Sequence, residues 1–146
     1  MDNLTVPGAV SALSEAFAGI LSGGCGSFAD FESRALELSR RSCAEAMSRA
    51  LGAMDAELRA SRPAGSRVHS RRPRTLATMT GDVRFSRTVL LDASGSASYP
   101  LDEALGLPMG DRVSPSARDF LVTCGADVPF GRTAALMAMG GGSRVS

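Results

Sequence analysis

Apolar residues recur along the first part of the chain at intervals of three and four. Val10, Leu13, Phe17 and Ile20 form one stripe, which predicts a short amphipathic helix brought to an end by the glycines at 23, 24 and 26. A longer stripe follows. Phe28, Phe31, Ala35, Leu38, Met47, Leu51, Met54 and Leu58 keep the 3-4 spacing up to the Pro63 break, with Ser27 able to cap and Asp30 three residues on. This predicts a helix over 27–62. Ser39, Ser42 and Gly52 interrupt the stripe and heptads are not sustained, so packing on neighbours ranks above a dimerising coiled coil.

The pattern then changes character. RPAGSRVHSRRPR, residues 62–74, reads as a loop by its prolines and glycine. Residues 75–80 and 83–91 read as two strands around Gly81 and Asp82, a β-hairpin. Arg84 and Arg87 lie an odd number of residues apart on its second strand, so they face opposite sides and at most one serves a given surface. After the turn-rich stretch 92–98, Ser114 and Pro115 open a helix to about Cys124. The chain turns over 125–129, and a last helix runs to about Met139. Such a pair resembles a helix-turn-helix unit, although an ordinary helical hairpin has the same pattern and the second helix offers only Arg132 as an obvious DNA contact.

The expected fold class is therefore α+β, in four segments: a short helix and Gly-rich hinge (1–26), the long helix (27–62), the Arg-rich loop and hairpin (63–100), and the helix-turn-helix-like unit (101–146). The 146 residues amount to about one domain, and an apolar fraction of 44% permits a core. With 16 Gly, no Trp and one Tyr, that core is expected to be thin.

Charge is concentrated in the middle. Residues 1–57 carry four Arg and eight acids, 58–91 carry eight Arg (Arg59, Arg62, Arg67, Arg71, Arg72, Arg74, Arg84 and Arg87) against Asp82 alone, and 92–146 carry four Arg and six acids. A basic block between acidic flanks makes a local positive field suited to a polyanion. A basic linker that only aids solubility has the same composition, and the absence of Lys weakens any argument that Arg was selected for bidentate phosphate contacts.

Several chemistries are excluded. Cys25, Cys43 and Cys124 are far apart and odd in number, with no C-x-x-C pair and a lone His69, so no structural zinc site is expected. They read as reduced thiols of a cytoplasmic protein. The apolar stretch 6–21 contains Glu15, has no basic leader and is too short to span a membrane. His69 has no ordered partner and suits a solvent or phosphate contact better than a general base. The run Gly140, Gly141, Gly142 lacks the Gly-Lys-Ser/Thr of a phosphate-binding loop. No catalytic residue, metal ligand or cofactor is expected.

The ordered blocks DAELRASRPAGSR, RRPRTLATMTGDVRFSRT, YPLDEALGLPMGDRVSP and GADVPFGRTAALM resemble the N-terminal part of the ISLre-type family of bacterial insertion-sequence transposases. ISKra-type transposases look similar in the last two blocks. The resemblance covers about residues 50–146, and its most specific pieces are the Gly81-Asp82 hairpin followed by Arg87 and the LDEALGL block at 101–107. ISKra-type relatives carry a C-x-x-C knuckle before that block. The matching residues 91–95 here lack cysteine, which favours the ISLre-type branch.

This resemblance implies an N-terminal region that handles element-end DNA, followed by a ribonuclease-H-like domain. The acids of that domain would hold two metals roughly 4 Å apart for strand transfer. The chain stops at Ser146, so the expectation is a truncated transposase that retains DNA binding and lacks strand-transfer activity. Asp102 and Glu103 are adjacent and would diverge on a regular element, so a capping or surface role is expected for them. Arg59, Arg62, Arg67, Arg71, Arg72, Arg74, Arg84, Arg87 and Arg132 are the candidate DNA contacts, transposon-end DNA the expected partner, and a second copy or a full-length transposase a further one. The alternatives are a helical self-association or protein-interaction module and a decayed reading frame.

Overall fold

The computed structural model describes residues 5–140 and divides into two compact units after Ser42. In the first, α1 (Thr5–Ser22) is followed by the opening turns of α2 (Phe28–Ala60). The start of α2 follows from its sequence. Ser27 Oγ accepts the N–H of Asp30 at 3.1 Å, and the Asp30 carboxylate accepts the N–H of Gly26 at 3.4 Å, so two otherwise orphaned donors are satisfied. Phe17 and Phe31 meet edge to face with centroids 6.2 Å apart. No described side chain between positions 7 and 42 is fully buried.

The second unit holds the core. The strands β1 (Arg67–Thr78), β2 (Gly81–Leu91) and β3 (Ala97–Ser98) form an antiparallel sheet in the order β1-β2-β3. Three helices follow: α3 (Pro100–Ala104), α4 (Pro115–Asp127) and α5 (Phe130–Met139). Leu76, Val83, Phe85, Leu101 and Ala44 are buried together, with Leu51, Met54, Leu58 and Leu107 packed against them. The apolar stripe of the second half of α2 therefore packs as its spacing predicts. Each large side chain so buried contributes about 1.5–3 kcal/mol.

Two side chains of α2 reach the backbone of β2. Ser48 Oγ accepts the N–H of Arg84 at 3.2 Å, while Asp55 accepts both the N–H of Thr88 on Oδ1 at 2.6 Å and its hydroxyl on Oδ2 at 2.8 Å. Residues 48 and 55 lie about two helical turns apart on one face, and 84 and 88 share a side of the strand, so the two periodicities meet twice.

Three local expectations are corrected. The segment 67–74 is not a loop but most of β1, which begins at Arg67 with a β-bulge between Val68 and Ser70. Pro73 is tolerated because β1 is an edge strand. The N–H of Ala77 points away from β2 and donates to Arg112 O at 2.8 Å, so Pro73, four residues earlier, has its missing N–H on that same outer side. The hairpin turn is Met79-Thr80, with Thr78 opposite Gly81, so Gly81 and Asp82 open β2 rather than form the turn. Gly125 lies inside α4, which runs on to Asp127 and leaves only two residues before α5. The Ser114 cap does form, its Oγ accepting the N–H of Ala117 at 3.3 Å.

Candidate nucleic-acid interface

The hairpin ladder sorts the arginines by face. Thr75 lies opposite Arg84, and Arg72 lies opposite Arg87, so Arg84 and Arg87 point to opposite sides as their odd spacing requires. One face carries Arg72, Arg74, Leu76, Val83, Phe85 and Arg87 and packs into the core through its apolar members. The other carries Arg71, Pro73, Thr75, Asp82 and Arg84, all exposed.

The core-side arginines converge on one carboxylate. Asp102, buried in the first turn of α3, sets Oδ2 2.9 Å from Arg74 Nη1 and against Arg87 Nη1. Arg74 Nη2 also donates to the carbonyls of Pro108 at 2.8 Å and Asp111 at 2.9 Å. The guanidinium of Arg87 lies 4.3 Å from the centroid of the Tyr99 ring, a cation–π contact. Burial, followed by the neighbouring charge of Arg74, pushes the Arg87 pKa down from its ordinary value. Asp102 Oδ1 and Arg87 Nε are buried without a hydrogen-bond partner among the described residues. Two guanidiniums on one carboxylate leave a net positive, largely enclosed group.

The solvent-facing set is therefore smaller than the charge pattern suggested. Arg74 retains 5% of its side-chain exposure and Arg87 13%, so neither is placed to contact phosphate, and both hold α3 and the segment after it to the hairpin. Arg62, Arg67, Arg71, Arg72, Arg84 and Arg132 are exposed, and Arg59 is half-buried in the last turn of α2. Arg71 Nη2 stands 3.9 Å from Asp55 Oδ2, and Arg62 Nη1 donates to Arg59 O at 3.2 Å. Among the described residues the side chains of Arg59, Arg67, Arg72, Arg84 and Arg132 have no ion-pair or hydrogen-bond partner. His69 is exposed at the bulge.

Sequence reasoning missed the two acids that organise the site. Asp102 is a buried counter-charge rather than a cap or surface group, while Glu103 does reach back, its Oε1 accepting the N–H of Tyr99 at 3.3 Å. Nothing in the spacing of LDEALGL announces Asp102. Asp55 did leave a signal, because it lies four residues after Leu51 and three before Leu58, an acid within an apolar stripe. Among the described residues no three His, Cys, Asp or Glu side chains converge in a way that could hold a metal ion. No helix there is long and apolar enough to cross a membrane.

Fold and charge together define the class: a small α+β protein that displays unpaired guanidiniums on an edge strand and one face of its hairpin. The chain belongs to the family described as Uncharacterised protein family (UPF0236), whose model matches residues 24–140. No curated protein and no solved structure matches the chain.

Proposed function

We propose that this protein binds nucleic acid as the DNA-contacting region of an ISLre-type transposase, handling transposon-end DNA. The observation that carries the reading is the set of exposed arginines on and beside β1, Arg62, Arg67, Arg71, Arg72 and Arg84, with Asp82 the one acid of the segment 58–91. Such groups neutralise phosphates and release counterions. The resemblance carried by the hairpin and by LDEALGL supplies the identity of the DNA.

A titration of duplex DNA binding against salt concentration tests it. Affinity should fall steeply with salt, and replacing Arg67, Arg71 and Arg72 together with Ala should flatten the log–log slope by about one for each phosphate no longer neutralised. Binding that ignores salt, or keeps its slope in the triple variant, would overturn the reading.

A second reading, self-association through α2, draws on the exposure of Phe28 at 76%, Leu36 at 47% and Met47 at 40%. Light scattering separates the two. A stable dimer indifferent to DNA would favour self-association.

A further inference from the structure

We infer that the exposed face of the hairpin is a ribbon for the major groove of B-form DNA, with Arg84 and Asp82 as its base-reading pair. The inference rests on the nucleic-acid reading and specifies which nucleic acid and which surface.

The face carries no ring on which a base could stack. The positions on this side are 71, 73, 75, 77 in β1 and 82, 84, 86, 88 in β2, and none is aromatic; Thr88 is buried against Asp55 of α2, so the open part of the face runs over 71–77 and 82–86. Phe85 is on the opposite face and buried, and the Tyr99 ring is engaged by Arg87. Proteins that hold single strands stack bases on exposed rings, and this face has no such platform. Duplex remains.

Shape narrows it further. Two strands at about 4.8 Å spacing, with side chains, match a B-form major groove about 12 Å wide and about 8.5 Å deep, which admits a two-stranded ribbon. The major groove of A-form RNA is too narrow for side chains to read.

Two side chains on the face are unengaged. Asp82 and Arg84 are two residues apart on β2, so they share the face, and both are exposed. Neither side chain has a partner among the described residues, since the hydrogen bond that joins Arg84 to α2 uses its backbone N–H. An isolated acid within a phosphate-binding surface costs affinity. An acid beside an arginine at base-edge depth does not, because Arg donates to guanine O6 and N7 while Asp accepts from cytosine N4. Thr75, directly opposite Arg84, adds a hydroxyl and a methyl at the same depth. Arg71 on this face, 3.9 Å from Asp55 Oδ2, is placed to meet a phosphate at the groove edge, while Arg67 and Arg72 belong to the opposite side of β1.

The test is fluorescence anisotropy of the full chain with three labelled probes of one mixed sequence: a DNA duplex, the single DNA strand and an RNA duplex. Dimethyl sulfate footprinting of guanine N7 accompanies it. The DNA duplex should bind at least tenfold tighter than the other two, N7 should be protected, and Arg84→Ala should weaken duplex binding about tenfold. Asp82→Asn should change which duplex sequences bind best in a selection from a random pool. The exposed Arg84 and Asp82 side chains make no hydrogen bond or ion pair among the described residues, so both variants should keep the wild-type thermal midpoint. Equal binding of single strand or RNA duplex, reactive N7 in the bound complex, or wild-type affinity in Arg84→Ala would each overturn the groove assignment while leaving nucleic-acid binding intact. Absence of binding to all three probes would overturn both.

Discussion

Asp102 is one carboxylate between two guanidiniums, and its removal would leave both Arg74 and Arg87 enclosed without a counter-charge. Breaking a buried pair from one side costs about 3–5 kcal/mol, so Asp102→Ala should lower the urea unfolding free energy by that order, whereas Asp119→Ala, at an exposed site on α4, should change it by less than about 0.5 kcal/mol. Asp55→Ala strands the N–H and hydroxyl of Thr88, both buried, and should cost about 3 kcal/mol by the same measurement. Asp92 behaves differently. Hydrogen bonds from Ser94 and Ser96 hold its pKa below the usual 3.8, so they stabilise its turn fully above that value and release it as pH falls through the lower folded value. The protection of the Ser96 amide, its exchange rate relative to an unstructured amide at the same pH, should be lost on acidification below 3.8, and Ser94→Ala should move the Asp92 carboxyl titration back up toward it. Of these three acids only Asp55 left a signal in the sequence, as an acid within an apolar stripe, and the helical reading passed over it. Asp102 acts through residues 15 and 28 positions away, a proximity that local spacing does not encode.

At the scale of elements, helices with strong periodicity and a capping serine were placed well, as with α2 after Ser27 and α4 after Ser114. Errors fell where a local rule met a tertiary exception. Proline and a run of arginines read as a loop, yet at the outer edge of a sheet neither loses a ladder hydrogen bond, and β1 extends eight residues further back than expected. Gly81 illustrates the reverse, a correct landmark with a different role. Its φ of 116° is open to glycine and strained for other residues, while a Cβ added there would meet nothing within 4 Å. Gly81→Ala should therefore destabilise by more than about 1 kcal/mol through the backbone alone, as a thermal melt would report. The candidate interface was legible as a charge block but not as a surface, since face assignment needs the register that pairs Thr75 with Arg84.

Across the whole molecule, burial is uneven. The described residues of the first unit include no fully buried side chain, whereas the second unit buries Leu76, Val83, Phe85, Leu101 and Met137. Local opening should follow that contrast, so hydrogen exchange in α1 should be fast while the β2 amides exchange only near global unfolding. Loss of this gradient, with α1 protected as strongly as β2, would show that the first unit is covered in solution. The α+β class was readable from the switch between helical and strand periodicity; the division within α2 was not, because the helix is continuous through it. The two hydrogen bonds from Ser48 and Asp55 to β2 carry a further consequence. A strand flank with unpaired N–H groups is a template for growth by another chain, and here two of those donors are already occupied by a helix. An inserted residue between positions 48 and 55 would rotate one contact about 100° away from the other and reopen that flank, turning a discrete fold into a seed for β-sheet polymerisation.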